Sequence, residues 1–201
     1  MIKQILFDCG GVLTHMGFID LMLHIFQSEE IAEYFITHLW AADSPWQRYD
    51  KGEISDTEIT EELKIFMPEE YHVYLEQFLD TWLDALPPRK EMEPILDELK
   101  EKGYSCYLLS NFPKQFKEMP KRVPFLNKLD KMIVSSDINL VKPKREIFEY
   151  TAKILNIKPS ETLFVDDTQS NLDGAKKAGF CTYLFTEPDM FKDYLLQNNI
   201  L

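Results

Sequence analysis

The sequence predicts an α/β fold, a three-layer sandwich around a parallel sheet, with a group of helices inserted after the first strand. Three observations support this prediction. Short apolar runs recur along the chain, helical patterns separate the later runs, and residues 16–84 contain no strand pattern. The alternation of strand and helix is typical of a parallel sheet, because parallel neighbours need a crossover connection.

The strands are predicted from runs that are apolar throughout. Continuous apolar character is typical of strands that are covered on both faces, as in a parallel sheet. The five runs comprise residues 2–7, 104–109, 132–134, 162–165 and 181–185.

The helices between the later strands are predicted from apolar residues at helical spacing and from end signals. Residues 91–102 form the first pattern, which stops before Gly103, a residue type favoured just after a helix. Residues 143–155 form the second, and Pro143 suits its first turn. Residues 171–178 form the third.

The inserted segment has the pattern of a small helical bundle. Helical periodicity covers residues 21–26 and 31–39. The pattern Ser55-x-x-Glu58 is a capping box and predicts the start of another helix, and residues 71–83 predict a further one.

These patterns divide the chain into two parts. Residues 1–15 and 85–201 are predicted to form a Rossmann-like catalytic core, and residues 16–84 an inserted helical domain. The pair Pro87-Pro88 marks the return to the sheet.

Composition restricts the partners and the location. Of the 201 residues, 45% are hydrophobic, which is enough for a buried core, and the net charge of -12 disfavours nucleic acid and anionic membranes as partners. No run approaches the ~18 apolar residues that suggest a membrane-spanning helix. Three widely separated cysteines without CxxC spacing indicate reduced thiols, and we therefore expect a cytoplasmic protein.

Polar residues follow three of the predicted strands. Asp8 ends the first, Ser110-Asn111 ends the second, and Asp166-Asp167 ends the fourth. Ligands of open α/β sheets bind beyond the carboxyl ends of the strands, so these side chains are predicted to converge.

The residue types indicate a magnesium-dependent phosphate site. Three carboxylates in one crevice repel each other unless a cation neutralises them, and oxygen ligands favour a hard ion such as Mg²⁺. Lys142 adds a compact positive charge suited to phosphate, and the Ser110 hydroxyl can help to cradle phosphoryl oxygens. The Gly10-Gly11 pair lets the backbone pass close to that cradle.

Four motifs, in this order, resemble those of the haloacid dehalogenase (HAD) superfamily: FDCGGVL, LLSN, VKPKREIF and FVDD. The helical segment stands where members with a small α-helical cap carry it. Within the superfamily, GGVL, KGEIS and VDDTQSNLDGA most resemble the sugar-1-phosphate phosphatases, notably the α-D-glucose-1-phosphate phosphatases. The resemblance implies a Mg²⁺-dependent phosphatase that hydrolyses a small phosphorylated metabolite, such as a sugar 1-phosphate, through an aspartyl phosphate.

The resemblance also implies a role for each matching residue. Asp8 is implied to be the nucleophile. The phosphoryl group is held by Ser110, Asn111 and Lys142, of which Lys142 is also catalytic.

For the metal, the resemblance implies Asp8, the backbone carbonyl of Gly10 and Asp167 as direct ligands, with Asp166 in support.

The first motif departs from the common pattern of the superfamily. Most of its phosphatases carry a second Asp where this chain has Gly10, and that Asp is the general acid and base. General acid–base catalysis contributes ~10²–10⁴ in rate, so its loss favours good leaving groups, as in sugar 1-phosphates or acyl phosphates. His15 is a substitute if the chain folds back over the site, but it equally fits a surface or hinge position.

Two alternatives stay open. A 2-haloacid dehalogenase also lacks the second Asp, but those enzymes need no metal and typically carry serine where this chain has Asp166-Asp167. A catalytically impaired binding or regulatory protein would explain the altered first motif, although the nucleophile, Lys142 and both acidic residues are retained.

Four aromatic residues of the inserted segment have two interpretations. They either line the contact with substrate or form the core of the bundle: Trp40, Trp46, Tyr49 and Phe66.

Overall fold

The protein is built on a five-stranded parallel sheet. The structure, a computed structural model, describes residues 1–41 and 43–201. The strands are β1 (Gln4–Phe7), β2 (Ser105–Ser110), β3 (Lys131–Val134), β4 (Thr162–Asp166) and β5 (Cys181–Leu184). They are arranged in the order β3-β2-β1-β4-β5, so the chain leaves β1 in one direction and later returns to its other side. All five predicted strands are confirmed to within two residues at each end.

Helices account for most of the remaining chain. The α-helices are α1 (Phe18–Phe26), α2 (Glu29–Leu39), α3 (Trp46–Asp50), α4 (Asp56–Phe66), α5 (His72–Thr81), α6 (Met92–Glu101), α7 (Met119–Arg122), α8 (Ser135–Ile138), α9 (Arg145–Leu155), α10 (Gln169–Lys177) and α11 (Pro188–Gln197). Short 3-10 helices occupy Glu69–Tyr71, Trp82–Ala85, Lys114–Glu118, Pro124–Lys128 and Pro159–Glu161. Among the described residues, no helix combines the length and apolar character that a membrane crossing needs.

The sheet is covered on both faces. Ile5 and Phe7 of β1 pack into a core shared with α6, α11 and the inserted helices. Leu6, which points to the opposite face, packs into a second core with α9 and α10. Both cores exclude water from Ile5, Leu6 and Phe7, which explains why these three residues of β1 are all apolar and do not alternate.

The inserted helices lie between β1 and β2. The expected capping box is present, since the Ser55 side chain accepts from the backbone N–H of Glu58 while the Glu58 carboxylate accepts from Ser55. We refer to residues 16–84 as the helical insertion.

Two helical predictions need correction. Pro143 does not lie in the first turn of its helix, because α9 begins only at Arg145. The Asn111 side chain explains the delay: it donates to the carbonyl of Lys142 (2.9 Å) and accepts from its N–H (2.8 Å), which holds the backbone outside the helix. The helix α11 was not predicted; its apolar contact with the sheet depends on only a few buried residues, among them Phe191 and Leu195.

Candidate active site

The carboxyl ends of three strands bring the predicted polar residues together. The residue before Asp8, Phe7, pairs with Leu108 of β2 on one side and with Val165 of β4 on the other. Asp8 itself continues this pairing, because its N–H donates to the carbonyl of Val165 at 2.9 Å. Three chain-distant segments therefore deliver side chains to the edge where the strand order reverses, as expected for an open α/β sheet.

Lys142 is the positive centre of this edge. Its Nζ lies 2.8 Å from Asp8 Oδ1 and 2.7 Å from Asp166 Oδ2, and its side chain is only 1% exposed. The Phe164 ring lies beneath it, 5.5 Å from Nζ to the ring centroid. The two hydrogen bonds from Asn111 fix the backbone of Lys142. Lys142 therefore comes from a segment that does not end a strand, and Asn111 holds the backbone of that segment in place.

The burial of these charges changes their acidity. Burial raises the pKa of Asp8 to about 7, although the charge of Lys142 opposes this shift. Burial acts to lower the pKa of Lys142, but its ion pairs with Asp166 and Asp8 outweigh burial and raise it. Lys142 therefore stays protonated at neutral pH and partly neutralises the carboxylates.

The acidic residues have the donor set for a hard divalent cation. Ligand oxygens of Asp8, Asp166 and Asp167 all lie within 4.8 Å of one another. Burial and the neighbouring Asp166 raise the pKa of Asp167. One lysine among three close carboxylates leaves a negative excess, which a cation with oxygen preference such as Mg²⁺ would neutralise.

The two motif-four carboxylates differ in how they are engaged. Asp166 is fully buried, and its oxygens accept from Lys142, from the N–H of Thr168 at 2.8 Å and from Asn171 Nδ2 at 3.1 Å. Asp167 is more exposed and accepts a long hydrogen bond of 3.4 Å from the Thr168 hydroxyl. Asp167 is therefore the less engaged of the two carboxylates and the freer to bind a cation, whereas Asp166 is held by Lys142, Thr168 and Asn171.

The glycine pair has a steric explanation. Gly11 has φ +75°, and a Cβ at this position would lie 2.0 Å from Asp167 Oδ2. Only glycine can both adopt this backbone and leave room for the carboxylate. At Gly10, by contrast, an added Cβ would meet only the flexible side chain of Met16, at 3.1 Å.

A cavity of about 240 Å³ opens above these residues. Its polar floor contains Asp8, Ser110, Asn111, Lys142 and Asp167, together with Gly10. Its roof is mostly aromatic and comes largely from the helical insertion: Phe18, Trp40, Trp46, Trp82 and Phe112. The floor fits a phosphoryl group, and the roof fits the organic part of a substrate.

The structure separates the aromatic candidates. Trp40 and Trp46 line the cavity, as the substrate-contact interpretation requires. Tyr49 is buried instead, with its hydroxyl donating to Asp56 at 2.7 Å, and Phe66 borders a separate surface depression. Trp46 also belongs to the buried core, so for this residue both interpretations apply.

His15 lies beside the cavity and does not line it. It borders a neighbouring depression together with Arg89, and its N–H donates to the carbonyl of Pro87 at 2.9 Å. This position agrees with the hinge interpretation. His15 does not take the place of the acid that is missing at Gly10.

Some residues of the cavity were not predicted. Asn171 was part of a quoted motif, VDDTQSNLDGA, and could have been found from its spacing of five residues from Asp166. Asp50 lines the cavity from the end of α3, and no local pattern marked it. Its only sequence signal is its place two residues before Gly52 of KGEIS.

A parallel sheet with an acidic cluster and a buried lysine at its carboxyl edge is the architecture of a hydrolase of the α/β type. The chain belongs to the haloacid dehalogenase-like hydrolase family, whose model matches residues 2–179. The expectation from the four motifs is thus confirmed at the level of the family.

Individual relatives give a finer comparison. The chain is similar to a D-ribitol-5-phosphate phosphatase of Bacteroides thetaiotaomicron, with 29% identity over 201 residues that cover 91% of each chain. It is 25% identical over 179 residues to the sesquiterpene phosphatase astK of Aspergillus oryzae, covering 88% of this chain and 86% of the relative. Among solved structures, a mutant HAD family enzyme of Bacteroides thetaiotaomicron, in complex with magnesium and inorganic phosphate, superimposes with a TM-score of 0.73. Its identity is 26%, and the match covers 92% of this chain and 95% of that one.

Proposed function

We propose that the protein is a Mg²⁺-dependent phosphatase that hydrolyses a small phosphorylated metabolite through an aspartyl phosphate on Asp8. The observation that carries this proposal is the position of Lys142 Nζ, 2.8 Å from Asp8 and 2.7 Å from Asp166, at the floor of the cavity. A nucleophilic carboxylate beside a fixed cation is the arrangement that attack on a phosphate dianion needs. The two phosphatase relatives and the magnesium and phosphate complex support the proposal.

The chain's own residues have separable tasks in this reaction. An Asp8 oxygen attacks phosphorus, and the bond from phosphorus to the ester oxygen breaks with its electron pair on that oxygen. Water then attacks the aspartyl phosphate, and inorganic phosphate leaves. Lys142 offsets the charge of the transferring group, while Ser110 and Asn111 line the floor beside it.

The metal would be held by Asp8, the backbone carbonyl of Gly10 and Asp167, with Asp166 in support. The carboxylate cluster fits this assignment, and so does the place of Gly10 in the cavity lining. When bound, Mg²⁺ would neutralise charge on the phosphoryl oxygens and on the attacking carboxylate.

The cavity restricts the substrate class. A polar floor below an aromatic roof suits a phosphate monoester whose organic part has an apolar face, which includes the C–H face of a sugar ring as well as a hydrocarbon. The relatives act on a sugar alcohol phosphate and a sesquiterpene phosphate according to their names, and both fit this description. A sugar 1-phosphate stays within the proposed class.

We assign the helical insertion, residues 16–84, as a cap over the core formed by residues 1–15 and 85–201. Its two connections to the core run side by side, which supports this division: the N–H of His15 donates to the carbonyl of Pro87, and that of Gly17 to Ala85 at 2.7 Å. The proposal includes a cytoplasmic location, supported by three free cysteines.

The alternatives are less well supported. A dehalogenase of the type considered above uses no metal, so the cluster of three carboxylates would have no purpose and would destabilise the site. A binding protein without catalysis would not need a nucleophilic aspartate that lines a cavity and pairs with a buried lysine, as Asp8 does.

A panel of phosphorylated metabolites tests the proposal. Phosphate release is measured with Mg²⁺ and with a chelator, and the panel includes ribitol 5-phosphate, glucose 1-phosphate and a terpenyl phosphate. We expect turnover of at least one ester, lost with the chelator and restored by Mg²⁺. Release of chloride from 2-chloropropionate that survives chelation would support the dehalogenase instead, and tight binding of a phosphate ester without turnover would support the binding protein.

A further inference from the structure

The proposed reaction lacks a group that handles protons at the floor of the cavity. An alkoxide is a poor leaving group, and the ester oxygen of an alkyl phosphate needs a proton as its bond to phosphorus breaks. Gly10 offers no carboxylate, and His15 lies outside the cavity. The described cavity lining contains four charged residues: Asp8, Asp50, Lys142 and Asp167.

Asp50 is the only one of these four that comes from the helical insertion. It ends α3 and lines the cavity, and the charges of Lys142 and Asp8 act on its carboxyl group. The carboxylates within one cation's reach are those of Asp8, Asp166 and Asp167, so Asp50 is not part of the metal cluster. It is thus a cavity-lining carboxyl group that is not committed to the metal.

The backbone around Asp50 is fastened to the core. The Ser135 hydroxyl donates to the Asp50 carbonyl at 2.5 Å, and Asn139 Nδ2 donates to the carbonyl of Lys51 at 3.0 Å. Gly52 completes the contact: its φ is +74°, and a Cβ there would lie 2.4 Å from the carbonyl oxygen of Ser136. Glycine is therefore needed for the segment to lie directly on the core.

This contact is continuous with the phosphate-binding loop. The Oγ of Ser135 also accepts from the N–H of Phe112 at 2.9 Å, and Phe112 follows Asn111, which holds Lys142. One hydroxyl thus connects the backbone of Asp50 to the loop that fixes Lys142. Hydrogen bonds, and not side-chain packing alone, therefore set the position of Asp50 relative to the floor of the cavity.

The acidity of Asp50 suits proton transfer. Burial raises its pKa to about 7, although the charge of Lys142 and the Trp46 side chain act to lower it, and the charge of Asp8 raises it further. Near neutral pH, both the acid and its conjugate base are therefore available, which is the condition for efficient general acid–base catalysis.

We propose that Asp50 is the general acid and base of this phosphatase, supplied by the helical insertion in place of the carboxylate that Gly10 lacks. This inference rests on the proposed function. It identifies the docking of residues 50–52 on residues 135–139 as the step that completes the catalytic site.

The proton balance is as follows. As Asp8 bonds to phosphorus and the ester bond breaks, the proton of the Asp50 carboxyl moves to the ester oxygen and gives a neutral alcohol. In the second step, the oxygen of water bonds to phosphorus, the Asp8–phosphorus bond breaks, and the Asp50 carboxylate takes the proton of water. Asp50 is protonated again, and no other reactant is needed.

Leaving-group dependence tests this role. The probes are hexyl phosphate, whose alkoxide needs a proton, and 4-nitrophenyl phosphate, whose phenolate leaves without one. In Asp50→Asn, kcat/KM, which reports formation of the aspartyl phosphate, should fall about 10²–10⁴-fold for hexyl phosphate and less than about threefold for 4-nitrophenyl phosphate. Glu53→Gln, at an exposed position of the same segment, is the matched control and should leave both rates unchanged.

A rescue variant extends the test. Gly10→Asp in the Asp50→Asn background should recover hexyl phosphate hydrolysis, because Met16 is the one obstacle near Gly10 and its side chain is flexible. An equal loss of kcat/KM on both esters in Asp50→Asn would overturn the proposal and leave Asp50 with a structural role.

The wild type alone gives a second test that does not depend on a variant folding. A shallow dependence of kcat/KM on leaving-group pKa across a series of esters is expected if a proton donor acts on the leaving group. A steep dependence, with the alkyl ester inert, would overturn the role of Asp50 while keeping the phosphatase. No turnover of any ester would instead contradict the proposed function itself.

Discussion

Replacing Lys142 with methionine removes one charge from the centre of the site and nearly keeps the length of the side chain. The lysine side chain is 1% exposed and forms two ion pairs, at 2.8 and 2.7 Å. Removal of one partner from a buried ion pair costs about 3–5 kcal/mol, because the remaining charge stays buried without compensation. With a urea dependence of about 1–3 kcal/mol per molar, this loss lowers the urea midpoint by roughly 1–5 M.

The same variant has a predicted pH dependence. Burial already raises the pKa of Asp8 from 3.8 to about 7, and Lys142 opposes this shift. The folded state therefore holds a proton that the unfolded state has lost, so metal-free stability falls as pH rises from about 4 to about 7. Without Lys142 the folded pKa is higher still, and the fall continues above pH 7. The difference between wild type and variant should widen from pH 6 to pH 9.

Urea unfolding followed by far-UV circular dichroism, without metal and at several pH values, measures both effects. Lys153→Met, which changes an exposed lysine of α9, is the control and should shift the midpoint little. Added Mg²⁺ should narrow the gap, because the cation neutralises the same carboxylates. An unchanged midpoint in Lys142→Met, or a gap that does not depend on pH, would refute this account of the site.

Three further predictions concern the metal loop, the helical insertion and the cysteines. Gly11→Ala should lose Mg²⁺-dependent activity and about 1–3 kcal/mol of stability, because its Cβ would press on Asp167. Gly103 also has a positive φ but open space around it, so thermal unfolding of Gly103→Ala measures the cost of the backbone conformation alone. Ser55→Ala removes the capping box of α4 and should cost about 1 kcal/mol, read from the melting temperature, with the chemistry at the floor intact. Titration of the native protein with Ellman's reagent should modify one thiol, that of Cys181, since the other two cysteines are buried.

The strand-end residues were predictable from sequence because two simple rules coincide. A buried parallel strand is apolar throughout, so the first polar residue after it marks its carboxyl end. Parallel strands place those ends at one edge of the sheet. Asp8, Ser110 and Asp166 follow from these rules alone. Lys142 ends no strand, and it was indicated by its charge and then by the family resemblance.

The roof of the cavity could not be predicted in the same way. Asp50 is brought to the site by the docking of α3 on Ser135, a contact between residues 85 positions apart. Nothing in the local sequence specifies that contact, and α3 is a single turn with no apolar periodicity of its own. The roof aromatics were similarly ambiguous, because Trp46 and Tyr49 lie in the same short helix and only the first lines the cavity.

The start of α9 shows how a tertiary hydrogen bond can override a local signal. Proline commonly occupies a first helical turn, and Pro143 was assigned there on that basis. The side chain of Asn111 binds both backbone groups of Lys142, which keeps this segment extended and delays the helix to Arg145. The same two hydrogen bonds hold Lys142 beside Asp8. The late start of α9 is therefore a consequence of how the site positions its lysine.

The central claim is that Asp8 carries the phosphoryl group. Its most direct test compares phosphate release by the wild type, Asp8→Asn and Asp8→Ala, in saturating Mg²⁺, on an ester that the wild type hydrolyses. Both variants should lose activity by at least about a thousandfold, because the proposed covalent intermediate forms on the Asp8 carboxylate. They should remain folded and should bind the ester. Hydrolysis that persists in either variant at a rate near that of the wild type would contradict the claim.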